Sequence, residues 1–195
     1  LSGGEFEEGL PHPLYLTLRA GGYPASEDAI RATTSLFGDY ERPFDYDGAH
    51  VSYTTEDGVL CTTQMLGGTI PNRVMLLHGE RKSLTVDLIS QTVVEHDRAY
   101  KDSARNRALN NLDRAGDRVA GTVANARAVV RRKRDDSWDT ARLLNAHFYQ
   151  NDAESKALLA GTEMPVPLEE GRWTIRLMEA IRDAARDDRA REGSG

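Results

Sequence analysis

Val51, Tyr53 and Thr55 stand at alternate positions before Glu56-Asp57-Gly58, and Val59, Cys61, Thr63 and Met65 stand at alternate positions after it. A period of two on both sides of an Asp-Gly pair predicts a β-hairpin, because the tight turn needs positive φ and Asp-Gly tolerates it. The alternation continues through Val74 to Gly79, Leu84 to Leu88 and Gln91 to Val94, with Glu80-Arg81-Lys82 as a turn. Glu27 to Phe37 reads as an earlier strand, with Ile30, Ala32, Thr34 and Leu36 alternating. The centre of the chain is therefore expected to be an antiparallel meander of about five or six strands.

Helical spacing flanks that meander. Leu14, Tyr15, Leu16 and Leu18 follow Pro11-His12-Pro13 and end at Gly21-Gly22, which predicts a turn leading into a short apolar helix stopped by glycine. Past His96 the period changes. Leu109, Leu112, Gly116, Val119, Val123, Ala126 and Val130 lie alternately three and four apart, one stripe on a helix of about seven turns with arginines opposite. This stripe is read first as packed core and second as a groove for a partner. A further helix is expected over 139–150, capped by Asp136 or Ser137, and a last one carries Trp173, Leu177, Ile181 and Ala184. Helix, sheet, then helices make the class α+β. One domain is expected over residues 1–188, with a disordered tail over 189–195.

The chain has 195 residues, 39% of them hydrophobic, and no apolar run reaches the roughly 20 residues of a membrane span. Its one cysteine, Cys61, cannot form an internal disulfide, so a reducing, cytoplasmic setting is expected. Net charge is -6, which argues against general affinity for nucleic acid. The segment from Lys101 to Asp135 departs from this, with ten Lys and Arg against four Asp. Its Arg131-Arg132-Lys133-Arg134 run is read as a solvated helix end before an anion-binding patch, since cations favour a helix C-terminus. No nucleic acid or membrane partner is expected. The chain opens on Leu1 without an initiator methionine, which suggests part of a longer protein.

Histidines at 12, 50, 78, 96 and 147 are scattered without HxH or HExxH spacing, so no metal site is expected. His50, His78 and His96 read as surface or structural histidines and His147 as helix packing. His12 differs, lying between two prolines at the start of an apolar helix, four residues after Glu8. A carboxylate near an imidazole can hold one ring nitrogen and raise the basicity of the other, which suits proton transfer from a hydroxyl near neutral pH. The alternative is a packed histidine in an acidic helix-capping turn. Spacing leaves both open.

The run Gly3-Gly4-Glu5-Phe6-Glu7-Glu8-Gly9-Leu10-Pro11-His12-Pro13-Leu14-Tyr15-Leu16 resembles the C-terminal-domain motif of the Gfo/Idh/MocA oxidoreductases, a Gly pair, an acidic residue, then a histidine four positions on and an apolar helix. Tyr53 to Gly58 followed by Val59-Leu60-Cys61-Thr62 is similar to that family's strand, acidic-Gly turn and strand. Asn72-Arg73-Val74 through Gly79-Glu80 to Asp87-Leu88, and Glu169-Glu170-Gly171 to Ala185, resemble later segments in the same order. The resemblance covers nearly the whole chain, with the basic helix 102–134 as an insertion.

The resemblance implies an open, mostly antiparallel sheet with helices on one face, a substrate-binding and oligomerisation domain that follows a Rossmann domain. It implies that His12 accepts a proton from a sugar, polyol or nucleotide-sugar hydroxyl, with Glu8, where the family usually has Asp, orienting it. Tyr15 and Asn72 would contact substrate. The cofactor, NAD or NADP, would be held mainly by the Rossmann half, whose Gly-x-Gly-x-x-Gly and Glu-Lys-Pro do not occur in this sequence. The chain alone is then expected to be inactive, and to form a homo-oligomer through its sheet face. The alternative is a non-catalytic dimerisation or interaction module of the same fold.

Overall fold

Glu7, Leu10, Leu14 and Leu18 recur at three and four residues and are each 1% exposed, so the N-terminal segment is built around one buried stripe. The computed structural model describes residues 3–39, 44–70, 72–96, 103–135 and 146–192. Two helices carry the stripe, α1 (Gly4–Gly9) and α2 (Pro11–Gly21), where the sequence suggested a turn before a single helix. Pro11 opens α2 at a position whose N–H would have no partner anyway. Leu10 between them keeps α-helical dihedrals and donates its N–H to the Glu7 carbonyl, 3.2 Å.

Six strands follow: β1 (Arg31–Ser35), β2 (Gly48–Thr54), β3 (Leu60–Leu66), β4 (Val74–His78), β5 (Ser83–Asp87) and β6 (Thr92–His96). The helices α3 (Ala104–Asp135), α4 (Ala146–Ala160) and α5 (Leu168–Glu192) complete the α+β class. All pairings are antiparallel, and the expected hairpin is present, with Tyr53 opposite Cys61 and Thr54 opposite Leu60. The single meander is corrected: the strands form two sheets, β1-β2-β3 and β4-β5-β6. Pairing stops at Gly67-Gly68, Gly68 having φ +65, so the chain leaves β3 instead of folding straight back onto it. The chain accordingly packs as two units, Leu1–Thr69 with Gln150–Gly195, and Ile70–Tyr149.

In the first unit the sheet buries one face. Ala49, Val51, Tyr53 and Cys61 point to the same side as the α2 leucines and as Trp173, Leu177, Ile181 and Ala185 of α5. The opposite face, with His50, Thr54, Thr62 and Gln64, is exposed, the alternation expected of an antiparallel sheet with one solvated side. Packing is close where α2 ends: a Cβ at Gly21 would run into the Cys61 sulfur. Tyr53 reaches across the same junction, its hydroxyl donating to the Gly22 carbonyl at 2.9 Å. Burial pushes the Cys61 thiol up and the Tyr53 phenol well up, so both stay neutral.

The α5 helix begins after Pro167 and carries Glu169 and Glu170 in its first turn, where negative charge suits the helix dipole. It runs through Glu192, beyond the Asp188 limit read from the sequence, and Arg189 near its end pairs with Asp45. The helix expected over 139–150 falls partly outside the described residues; the described helix is α4, ended by Gly161 at φ +63. Thr162 N–H bonds to the Ala157 carbonyl and Gly161 N–H to that of Leu158, the pair of bonds that closes a helix through a left-handed glycine.

The second unit holds β4, β5, β6 and α3. Asp87 Oδ1 accepts the N–H groups of Ile89 and Ser90 at 2.9 and 3.0 Å and shapes the β5-β6 turn. The α3 helix lies along β6, the edge strand. Asp117 Oδ2 accepts the Glu95 N–H at 3.0 Å, and Asn125 Nδ2 donates to the carbonyls of Ser90 and Gln91 at 3.2 and 2.6 Å. Gly121 sits between them, where a Cβ would lie 3.1 Å from Thr92. The reading of the Leu109 to Val130 stripe as packed core is therefore corrected: Leu112 is 67% and Val119 64% exposed.

A long-range ion pair joins the ends of the first unit. Glu7 Oε2 accepts the Gly3 N–H at 3.0 Å, while Oε1 takes Nε and a terminal nitrogen of Arg182 on α5 at 2.6 and 2.5 Å. Burial pushes the Glu7 carboxyl up, but the Gly3 amide, the Arg182 guanidinium and the Tyr46 hydroxyl outweigh it and hold it below the usual carboxylate range. A depressed folded-state pKa means that this stabilisation is present above about pH 4.5, the ordinary value, and is lost as pH falls through the folded value. Glu7→Gln should cost about 3 kcal/mol at neutral pH, measured by urea unfolding, and should flatten the acid limb of stability against pH. Leu177→Ala, at the centre of the same core, should also cost about 3 kcal/mol without that change in pH dependence.

Candidate functional site

The helical stripe that buries Leu10, Leu14 and Leu18 fixes what the other side of α1 and α2 presents. Glu8, His12, Tyr15 and Arg19 follow at four, three and four residues and form one ridge on the outside of the first unit. Glu8 and His12 are exposed and Tyr15 is half-buried. The His12 and Tyr15 rings meet edge to face, 5.9 Å between centroids at 76°. An edge-to-face contact of this kind orients an imidazole. Glu8 stands one turn earlier, in the last turn of α1. Asn72, exposed, precedes β4 in the second unit.

The buried carboxylate of α1 is Glu7, not Glu8. It faces inward, and its bonds to Gly3 and Arg182 anchor the helix pair that carries His12. A signal for it was present: Glu7 lies three residues before Leu10 and so continues the buried stripe, while Glu5 and Glu8 fall off it. Tyr46 and Phe6 pack edge to face beneath the same turn, 5.9 Å apart at 87°.

A cleft of about 530 Å³ opens at the other end of α2, lined by Leu18, Arg19, Tyr23, Met164, Pro165 and Glu170 among others. Arg19 bridges it, its Nε to Glu170 Oε2 at 3.1 Å and its terminal nitrogen to the Pro165 carbonyl at 2.6 Å. Buried Glu170 thereby obtains its counter-charge. His12 does not line this cleft; seven residues of helix put it roughly 10 Å along the axis from Arg19.

The described residues do not form a Rossmann dinucleotide-binding unit. Their strand pairings are all antiparallel, and none of their strands leads through a glycine-rich turn into the helix of a parallel crossover. Among them no group of three His, Cys, Asp or Glu is arranged to hold a metal ion, and no helix is long and apolar enough to cross a membrane.

No protein-family model matches the chain, and no curated protein matches it. Two solved structures do, both of UDP-N-acetylglucosamine 3-dehydrogenase GnnA from Acidithiobacillus ferrooxidans. One shares 16% identity at a TM-score of 0.53, over 90% of this chain and 45% of that one. The other, at 23% identity and a TM-score of 0.38, covers 62% and 43%. The chain thus spans less than half the length of that dehydrogenase. What the first likeness shows is the fold alone, shared between most of this chain and part of that enzyme.

Proposed function

We propose that the chain is the substrate-binding and acid/base part of an NAD(P)-dependent oxidoreductase that acts on a sugar, polyol or nucleotide-sugar hydroxyl. The observation that carries this reading is the fold likeness to a sugar-nucleotide dehydrogenase over 90% of the chain. The same kind of enzyme is implied by the motif around His12. In this reading NAD or NADP belongs to a segment outside these residues, and the roles assigned here are those of the chain's own side chains.

His12 takes the proton of the substrate hydroxyl. Its exposed place in the first turn of α2 gives a sugar access to the ring, and Tyr15 limits the ring's rotation. Glu8, one helical turn earlier, is the carboxylate assigned to orient the imidazole. Tyr15 offers its hydroxyl to a neighbouring substrate oxygen. The Glu7 anchor holds α1 and α2 in place, and such positioning matters because an acid/base gains its effect only within hydrogen-bond reach of the proton.

The test uses the polypeptide read through upstream of Leu1. A strand, Gly-x-Gly-x-x-Gly and helix unit with a Glu-Lys-Pro is expected there, and UDP-N-acetylglucosamine is the first substrate to try. His12→Ala should lower kcat at least about 100-fold, read as loss of nicotinamide reduction, with KM less affected. Undiminished turnover in that variant overturns the role of His12. A reading frame that opens near Leu1, with no nicotinamide reduction, overturns the half-enzyme reading and leaves a non-catalytic interaction module. Residues 1–195 alone are expected to give no turnover.

A further inference from the structure

The α3 helix turns its apolar side away from the sheet it lies on. Asp117, Gly121 and Asn125, spaced four apart, face β6 and the turn that leads into it. Val119 and Val123 lie two residues to either side of Gly121, and at about 100° per residue both fall on the opposite face. They are 64% and 42% exposed, Leu112 is 67% and Val130 50% exposed. A Cβ at Gly116, on the same line, would meet nothing within 4 Å.

The spacing of that line is the second observation. Leu109, Leu112, Gly116, Val119, Val123, Ala126 and Val130 run three, four, three, four, three, four, an unbroken heptad seam over three repeats. A helix that packs on a sheet needs a broad apolar stripe; a strict alternation of three and four is the pattern of two helices wound on each other. The seam is about 32 Å long at 1.5 Å per residue.

We propose that α3 pairs through this seam with α3 of a second copy of the chain, antiparallel. The match of the seam to itself sets the occupant, and charge sets the direction. A parallel pair would place two Arg131-Arg132-Lys133-Arg134 runs side by side. An antiparallel pair places each run beside Ala108-Leu109-Asn110-Asn111 of the second copy, which carries no charge.

The same register sets Val119 against Val123 of the second copy, Leu112 against its Val130 and Gly116 against its Ala126. Between Leu112 and Val130 large side chains then meet large ones and small meet small. Asp113 and Arg127, each next to the seam, come together at both ends of the pair. This contact is separate from the sheet-face association implied by the family resemblance, and it does not depend on the proposed activity.

The full 195-residue chain should dimerise in sedimentation equilibrium. The pair Val119→Asp and Val123→Asp should weaken the dimer at least about 30-fold, as a buried unpaired charge does. The helix should persist, since both side chains point away from the sheet. Leu112→Cys and Val130→Cys chains, prepared separately and then mixed under mild oxidation, should cross-link to each other. Leu112→Cys alone should not, its two copies lying about 27 Å apart.

A strict monomer at about 100 μM overturns the proposal and leaves the seam to a different protein. A dimer indifferent to the two Asp substitutions also overturns it, because the contact is then elsewhere. Ready cross-linking of Leu112→Cys to itself overturns the antiparallel direction. The cross-linking chains keep the seam apolar, so they decide the matter even if the Asp variant unfolds.

Discussion

The buried contact between Glu7 and Arg182 ties together residues 175 apart in the sequence, and the arrangement of the first unit rests on it. A carboxylate 1% exposed is costly unless both oxygens are satisfied. Here one oxygen takes the Gly3 amide and the other the guanidinium, so the charge is kept. The consequence is geometric. With α1 fixed to α5, the leucines of α2 are held against Leu177 and Ile181, and the outward ridge of His12 and Tyr15 is held with them.

Much of this was legible in the residues and some was not. The hairpin around Asp57-Gly58 is local information, because turn chemistry and alternation agree within fifteen residues, and its register follows. The leucine stripe of α2 was readable for the same reason. The separation into two sheets was not, although Gly67-Gly68 marked the place, since alternation identifies strands and says nothing about which strands pair. The arginine that neutralises Glu7 could not be found from spacing at all. Glu5, Glu7 and Glu8 look alike in a string, and only the position of Glu7 on the leucine stripe set it apart.

The candidate site shows a similar division. Glu8, His12 and Tyr15 form one ridge because four- and three-residue spacing survives the change from α1 to α2 through the α-helical Leu10. Their burial was harder to foresee, since whether a histidine beside prolines packs or projects depends on the opposite face of the helix. Here the leucines claim that face, and the imidazole projects. The cleft at the far end of α2 was not visible in the sequence, because it is assembled from Arg19, Pro165 and Glu170, which meet only after α5 is folded against α2.

The two units differ in how much apolar surface they bury, and this difference explains why α3 was misread. Among the described residues the connected core of leucines, tyrosines and Trp173 belongs wholly to the first unit, and the second contributes only Val94 to the buried hydrophobic set. Three strands of five residues and one helix, joined by Asp117, Asn125 and a glycine contact, gain chiefly hydrogen bonds from their union. Such bonds contribute only about 1 kcal/mol each on balance. Leu76, Val93, Leu112 and Val119 stay exposed meanwhile. Periodicity reports that a side of a helix is apolar, not what covers it, and in α3 the small and polar side is the one that allows a close approach to β6. An apolar seam left outward in a unit with so little core of its own is where further burial would stabilise it most.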